Sequence, residues 1–166
     1  LAPSFTQLSA ASRGTAIAGE GAREVFTALA EASAVMQLSA DDTKGAMNAL
    51  VQMLGKGKVS AEELRGQLGE RIPGAFSIAA RAMGKTTVEL DKMMSNGELF
   101  AEDFLPKFAQ QLRTEMGGGV ADATDTAAAS FNRLWNEIEK LERTIGESGF
   151  IDALADAADV TSILIS

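Results

Sequence analysis

Apolar residues recur at helical spacing along the first part of the chain. From Ala22 to Met36 they stand three or four residues apart, and the pattern continues through a second segment from Leu38 to Leu54. This spacing places apolar side chains on one face of an α-helix. Gly55 follows the second segment and predicts where that helix ends.

A third helix is predicted from its start and stop residues. Ser60 and Glu63 have the spacing of a capping box, in which each side chain binds the backbone N–H of the other residue. Gly69 predicts the end of the same helix, because glycine commonly follows the last helical turn. The acidic first turn also favours the positive end of the helix dipole.

Two further helices follow. One is predicted from Pro73 to Met83, since proline is favoured in a first turn, and Gly84 ends it. The other begins at a second capping box formed by Thr86 and Glu89, and it ends at Asn96-Gly97.

The sixth helical segment runs from Leu99 to Met116. Pro106 either kinks this helix or marks its real start. The sequence LFAED at this helix start repeats a pattern seen at LSADD and VSAEE, but Phe100 stands where the other copies have a capping serine. We therefore expect this helix to begin less firmly than the others.

Three consecutive glycines at 117–119 divide the chain in two. We predict a helical domain over 1–116, a linker over 117–119 and a helical extension over 120–166. Apolar residues of the extension form a seam spaced by three and four residues, which suits packing against another helix. The seam either docks on the first domain or self-associates. Its candidate contact residues are Phe131, Leu134, Trp135, Ile138, Leu141 and Ile145.

Composition supports helices over sheets. The 166 residues include no tyrosine and only 5% aromatic residues, so small and aliphatic side chains must fill the core. The predicted fold is all-α: a bundle of short helices, then a longer amphipathic helix and a short C-terminal helix. The chain does not begin with methionine, and we expect it to be a piece of a longer protein.

The missing residue types restrict the chemistry. Without cysteine and histidine there is no disulfide, thiolate or imidazole, and we expect no metal and no cofactor. The net charge of −8 and the lack of clustered Lys and Arg disfavour direct nucleic-acid binding. The last apolar stretch, 150–165, is interrupted by three aspartates, so no membrane span is expected in this piece.

Two glycine- and lysine-containing stretches resemble phosphate loops. Gly84-Lys85-Thr86 fits a relaxed form of that motif, and a nucleotide-binding enzyme is the hypothesis it raises. A phosphate loop needs a buried strand before it, whereas the preceding residues have helical periodicity. In the other stretch, Gly55 to Lys58, the next residue is Val59, whereas a phosphate loop requires serine or threonine at that position. We interpret both stretches as turns between helices.

Adjacent acids raise a hydrolase hypothesis that their positions weaken. Glu62/Glu63 and Glu102/Asp103 are pairs of carboxylates, as glycoside hydrolysis requires. Neighbouring residues of a helix point in different directions, and acids in a first turn are explained by the dipole. The seven methionines form either an adaptable surface or core filling, of which we favour the second.

A long ordered stretch carries a family resemblance. LVQMLGKGKVSAEELRGQLGERIPGAFSIAARAMGKTTVELDKMMSNGELFAEDFLPKFAQQL, Leu50 to Leu112, resembles the tape measure domain of bacteriophage and prophage tail proteins. Upstream, FTQLSAASRGTAIAGEGAREVFTALAEASAVMQLSADDT is similar to the N-terminal part of that domain. Downstream, SFNRLWNEIEKLERTIGESG resembles the helical segment that often follows it. Phe100 departs from the family, in which serine is usual.

The resemblance implies a structural role without catalytic residues. Tape measure proteins are long helical chains that template polymerisation of the tail tube and set tail length. The resemblance implies tail assembly chaperones and the tail-tube protein as partners. It implies the lumen of the virion tail as location, with the host cytoplasm before assembly. The residues alone support a more general alternative, an acidic helical scaffold that binds a protein partner.

Overall fold

The computed structural model describes residues 2–117 together with Asn136 and Lys140. The chain divides into two compact units, and the described residues 3–117 belong to the first, Pro3–Ala127. The all-α prediction is confirmed, since the described residues form helices and no strand. The longer helix and the C-terminal helix predicted for 120–166 lie outside the described residues, apart from two helical positions, and the boundary at 117–119 stays a prediction.

Six α-helices and one π-helix make up the described part of the first unit. The α-helices are α1 (Ala2–Ser12), α2 (Glu20–Val35), α3 (Ala40–Lys56), α4 (Ala75–Ala82), α5 (Thr87–Ser95) and α6 (101–117). The π-helix, Glu62–Leu68, lies between α3 and α4 and packs on both.

The core is built from aliphatic side chains and four phenylalanines. Phe104 and Phe108 of α6 stack with ring centroids 5.2 Å apart, and Phe5 of α1 meets Phe26 of α2 edge to face at the same separation. Each of these rings is at most 6% exposed. The buried residues of α6 follow one apolar stripe: Ala101, Phe104, Leu105, Phe108, Ala109 and Leu112.

Helix α3 ends two residues later than predicted. Gly55 lies inside the helix, and Gly57 is its C-cap with a left-handed φ of 71°. Glycine adopts this conformation without the steric cost that a Cβ imposes. The prediction at Gly55 was wrong because either glycine can end a helix, and only tertiary contacts choose between them.

Helix α4 begins after the predicted proline. Its first residue is Ala75, and Pro73 lies in the preceding turn. Gly74 is the N-cap with φ of 78°, and the N–H of Ala75 bonds the carbonyl of Ile72 at 3.0 Å. The positive φ at Gly74 makes a sharp turn that delays the helix past Pro73.

The third predicted helix is a π-helix, and its capping box is half formed. The N–H of Ser60 donates to the Glu63 carboxylate at 3.3 Å, as predicted. The Ser60 hydroxyl also donates to that carboxylate instead of accepting from the Glu63 backbone. Residues Glu62–Leu68 form backbone hydrogen bonds between residues five apart, and the α-helical prediction did not anticipate this.

The second capping box is confirmed in full. Glu89 accepts from the N–H of Thr86 at 2.7 Å, and Thr86 accepts from the N–H of Glu89 at 3.2 Å. The helix ends at Asn96, and Gly97 follows with φ of 68°. These partners are three residues apart, so local sequence is enough to predict them.

Helix α6 begins at 101, so Pro106 does not mark its start. Phe100 offers no capping side chain, as expected from the sequence. The first N–H of the helix, that of Ala101, instead donates to the Gly57 carbonyl at 3.1 Å. Together with the bond from Val59 N–H to Leu99 carbonyl, 2.9 Å, this forms an isolated antiparallel bridge between Lys58 and Phe100. Tertiary pairing thus replaces the missing cap.

Candidate interaction surfaces

The predicted seam lies outside the described residues. Nothing described brings Phe131, Leu134, Trp135, Ile138, Leu141 or Ile145 together. Asn136 and Lys140, which stand between seam positions, are helical and exposed. The seam therefore stays a prediction.

A groove of about 480 Å³ opens between the π-helix, the start of α4 and the start of α5. Val88 stands at its edge and is 77% exposed, the most exposed large apolar side chain among the described residues. We call this feature the Val88 groove. Its lining includes Arg65, Gly69, Phe76, Ser77, Val88 and Asp91.

Arg65 crosses the Val88 groove from the π-helix to α5. Its guanidinium lies 4.1 Å from the centre of the Phe76 ring, a cation–π distance, and its Nη2 is 2.8 Å from Oδ1 of Asp91. Both charged side chains are about half exposed, so the ion pair is screened by solvent and fixes geometry more than stability. The groove was not predicted from sequence. Its one signal was Val88, an apolar residue off the face that carries Leu90 and Met94.

The Gly84-Lys85-Thr86 stretch is a connection between two helices, as our helical interpretation predicted. Gly84 has φ of 62°, its N–H bonds the Arg81 carbonyl at 3.0 Å, and the N–H of Lys85 bonds the Ala80 carbonyl at 2.9 Å. This is the glycine-ended helix terminus described as a Schellman motif. The hydroxyl of Thr86 caps α5, and the chain before the stretch is α4 rather than a strand. The nucleotide-site hypothesis lacks its structural context.

The paired acids do not converge on a common site. Glu62 is exposed while its neighbour Glu63 is fully buried. In the second pair, Glu102 accepts from the N–H of Ala16 at 3.2 Å, and Asp103 pairs with Lys107 at 2.8 Å. Each carboxylate thus serves its own helix start or a neighbouring segment. Among the described residues no group of three or more acidic side chains could hold a metal ion.

The buried carboxylate of Glu63 is the centre of a polar cluster with Lys56 and Ser60. Burial by itself would raise the pKa of Glu63, but the hydrogen bonds from the Lys56 ammonium group and from Ser60 outweigh it and lower the pKa below 4.5. The same hydrogen bond raises the pKa of Lys56. The cluster ties the end of α3 to the π-helix. Sequence reasoning identified Ser60 and Glu63 but missed Lys56.

Three of the seven methionines are core residues and four are partly exposed, so the core-filling interpretation holds for fewer than half of them. Met47 and Met53 have no exposed surface, Met94 is 8% exposed, and the other described methionines are partly buried. In the part of the chain that the structure describes, no helix combines the length and apolarity that crossing a bilayer requires.

Comparison with known proteins points to one family. Residues 1–147 match the family described as tape measure protein. A curated relative, the probable tape measure protein of Salmonella phage Felix O1 (isolate Felix O1-VT1), is 38% identical over 122 residues. That alignment covers 70% of this chain and 16% of the relative, so the chain spans a small part of the length of the relative. No solved structure matches.

Proposed function

The chain belongs to the tape measure protein family, and we propose that it is a helical structural domain that helps to set tail length and to template tail-tube assembly. The family match over 1–147 carries this proposal. The phage origin of the curated relative supports a place in a virion tail. The polar side chains of the candidate sites form helix caps, ion pairs and packing contacts, which is consistent with a structural role.

The proportion of the relative that is matched fits a long molecule with many segments. The alignment covers 16% of the relative, so a domain of this kind is one part of a much longer chain. A helix adds ~1.5 Å for each residue, so total length rises with the number of helical residues. On this proposal the domain contributes a fixed increment to that total.

Its partners on this proposal are the tail assembly chaperones before assembly and the tail-tube protein afterwards. The corresponding locations are the host cytoplasm and then the lumen of the tail. Both follow from the family resemblance. The twelve basic and fourteen acidic residues of 2–117 leave this part of the chain near neutrality, so most of the net charge of −8 falls on 118–166. We expect interactions with charged partners to depend more on that second part.

We also propose that any self-association runs through 120–166 and uses the seam. Replacing Leu134 and Ile138 with aspartate puts charge on the seam, and the particle mass in light scattering should fall to that of one chain. Asn136→Asp is the matched control, because Asn136 is exposed in the same region and should leave the mass unchanged. An oligomer that survives both seam substitutions contradicts this part of the proposal.

The tail-length role is tested in the phage or prophage that encodes the parent protein. Removing residues 3–117 in frame should give tails shorter by up to ~170 Å, the length of this segment as a continuous α-helix. Tail length is measured by electron microscopy. A recoded gene with an unchanged protein sequence is the control and should give tails of native length.

The outcomes separate the two halves of the proposed function. Shortened tails support length setting, and the absence of tails supports templating. Tails of native length and number contradict both, and they favour the alternative that the domain is a general scaffold for a protein partner.

A further inference from the structure

One of the four asparagines, Asn96, is followed by glycine. In an Asn-Gly pair the glycine nitrogen can attack the side-chain amide carbon of the asparagine, because no Cβ crowds its approach. Asn96 is exposed at the end of α5, so solvent reaches the pair. The remaining asparagines precede alanine, arginine and glutamate, which hinder the same attack: Asn48, Asn132 and Asn136. Asn96-Gly97 is therefore the pair of this chain with the chemistry for spontaneous deamidation.

The reaction at such a pair has two steps. The Gly97 nitrogen bonds to Cγ of Asn96 and closes a five-membered succinimide ring; its N–H proton goes to a solvent base, and the side-chain nitrogen leaves as ammonia with a proton from water. Water then opens the ring. Addition at the side-chain carbonyl gives aspartate with a normal main chain. Addition at the main-chain carbonyl gives isoaspartate, in which the main chain runs through the side chain and is one carbon longer.

The folded end of α5 holds the pair in a geometry that blocks the first step. The succinimide ring is nearly flat, so Cβ of Asn96 and the Gly97 nitrogen must be nearly eclipsed about the Cα–C bond of Asn96. Asn96 has ψ of −7°. At that angle the Gly97 nitrogen eclipses the nitrogen of Asn96 itself and lies about 120° away from Cβ around the bond. Ring closure therefore requires a large rotation of ψ.

Two hydrogen bonds oppose that rotation. The N–H of Gly97 donates to the Met94 carbonyl at 3.0 Å, and the N–H of Glu98 donates to the Met93 carbonyl at 2.9 Å. These bonds form the Schellman motif that ends α5, and Gly97 supplies its left-handed φ of 68°. The attacking nitrogen is thus engaged as a donor, and it becomes free only when the end of α5 opens.

We propose that Asn96-Gly97 is a latent deamidation site, kept unreactive by the folded end of α5 and converted only when that end opens. Conversion to isoaspartate lengthens the main chain three residues before Leu99, whose carbonyl binds the N–H of Val59. The Schellman bonds then cannot form again in the same register, and the bridge between Lys58 and Phe100 is loosened. The inference is independent of the tail function.

The protection is tested by comparing folded and unfolded chains of the full 166 residues. Peptide mass spectrometry at neutral pH follows the replacement of the Asn96 amide by a carboxyl group. Conversion should be at least about tenfold slower in buffer than in guanidinium chloride. Asn48 in α3 is the internal reference and should convert far more slowly than Asn96 in the unfolded chain. Equal rates for Asn96 in the two states overturn the protection, and an unfolded chain that does not convert overturns the site.

The route through opening of α5 is tested from the other end of that helix. Thr86→Ala removes the hydroxyl that caps α5 and leaves Asn96-Gly97 unchanged. It should speed conversion in the folded chain about fivefold, because a helix of this length opens cooperatively. Thr114→Ala is the matched control: Thr114 is exposed and its hydroxyl bonds within α6, so the rate should not change. A Thr86→Ala rate equal to that of the wild type overturns the proposed route.

Hydrogen exchange measures the effect on the bridge. The amides of Val59 and Ala101, which make its two hydrogen bonds, should exchange at least about threefold faster in the isoaspartate form than in fresh protein. Asn96→Gln, kept under the same conditions, is the control, since glutamine has to close a larger ring and should not convert. If both amides keep their exchange rates in the isoaspartate form, the loosening of the bridge is refuted.

Discussion

The carboxylate of Glu63, which has no exposed surface, accepts a hydrogen bond from the ammonium group of Lys56, whose side chain is half exposed. The backbone N–H and the hydroxyl of Ser60 complete the set of donors around it. One cation at the end of α3 thus balances a buried charge at the start of the π-helix. The buried acid is stable there because the donors of Lys56 and Ser60 satisfy its charge.

Glu63→Gln should destabilise the domain by about 2–4 kcal/mol, since the amide removes the charge and turns one acceptor into a donor facing other donors. The free energy of unfolding from urea denaturation measures the loss. Glu62→Gln is the control: this side chain is 70% exposed, and its loss should cost less than about 0.5 kcal/mol. Equal effects of the two substitutions would show that burial of Glu63 does not matter.

The same carboxylate should make stability depend on acid pH. Because folding lowers the pKa of Glu63 below 4.5, the unfolded chain binds the proton more tightly than the folded one. The contribution of Glu63 is therefore present above pH 4.5 and is lost as the pH falls through the lower folded value. Urea midpoints between pH 6 and pH 3 should fall less for Glu63→Gln than for the wild type. Glu89 and Glu115, whose pKa values are also lowered, keep a slope in both proteins.

Gln37→Gly should stabilise the domain. Gln37 ends α2 with φ of 53° and is the one non-glycine residue with positive φ among the described residues. The bonds from its N–H to Ala34 and from Leu38 N–H to Ser33 form a Schellman motif, where glycine is preferred. Relief of the left-handed strain should add about 0.5–1 kcal/mol, visible as a higher melting temperature.

The opposite exchange serves as the reference for that prediction. Gly57→Ala introduces a side chain at φ of 71° with no atom within 4 Å of its Cβ. It should lower stability by about 1 kcal/mol through conformation alone. A neutral result at both positions would mean that left-handed φ values are not a source of strain here.

Two phenylalanines at the start of α6 should differ sharply when truncated. Phe104 has no exposed surface and stacks on Phe108, so Phe104→Ala should cost about 3–5 kcal/mol. Phe100 is 52% exposed and contacts Lys58, whose Nζ lies 5.7 Å from the ring centre. Phe100→Ala should cost about 1 kcal/mol or less. Urea denaturation of both variants measures the contrast, and similar costs would refute the burial pattern.

Local partners explain what the sequence predicted well. The Thr86–Glu89 capping box and the helix end at Gly97 each depend on residues within one or two turns, and both are confirmed. The helical segment of α6 was likewise predicted. Its start was not, because the first N–H is satisfied by Gly57 from a distant part of the chain.

The features that were missed depend on tertiary contacts. Arg71, just beyond the π-helix, lies against Gly45 of α3, and no local pattern reports that contact. Helix α1 was not predicted because its sequence contains few large apolar residues. Its Phe5 is buried by packing on Phe26 of α2, a tertiary contact. The Val88 groove needs three separate elements to exist.

The bridge between Lys58 and Phe100 brings together the two ends of the segment 58–100. Opposed residues of such a non-hydrogen-bonded pair lie with Cα atoms ~4.5 Å apart. The segment that holds the π-helix, α4 and α5 therefore begins and ends at nearly the same point. A segment whose ends meet can be lengthened, shortened or exchanged without rethreading the helices on either side. A change in the length of segment 58–100 would therefore leave the joint between α3 and α6 in place.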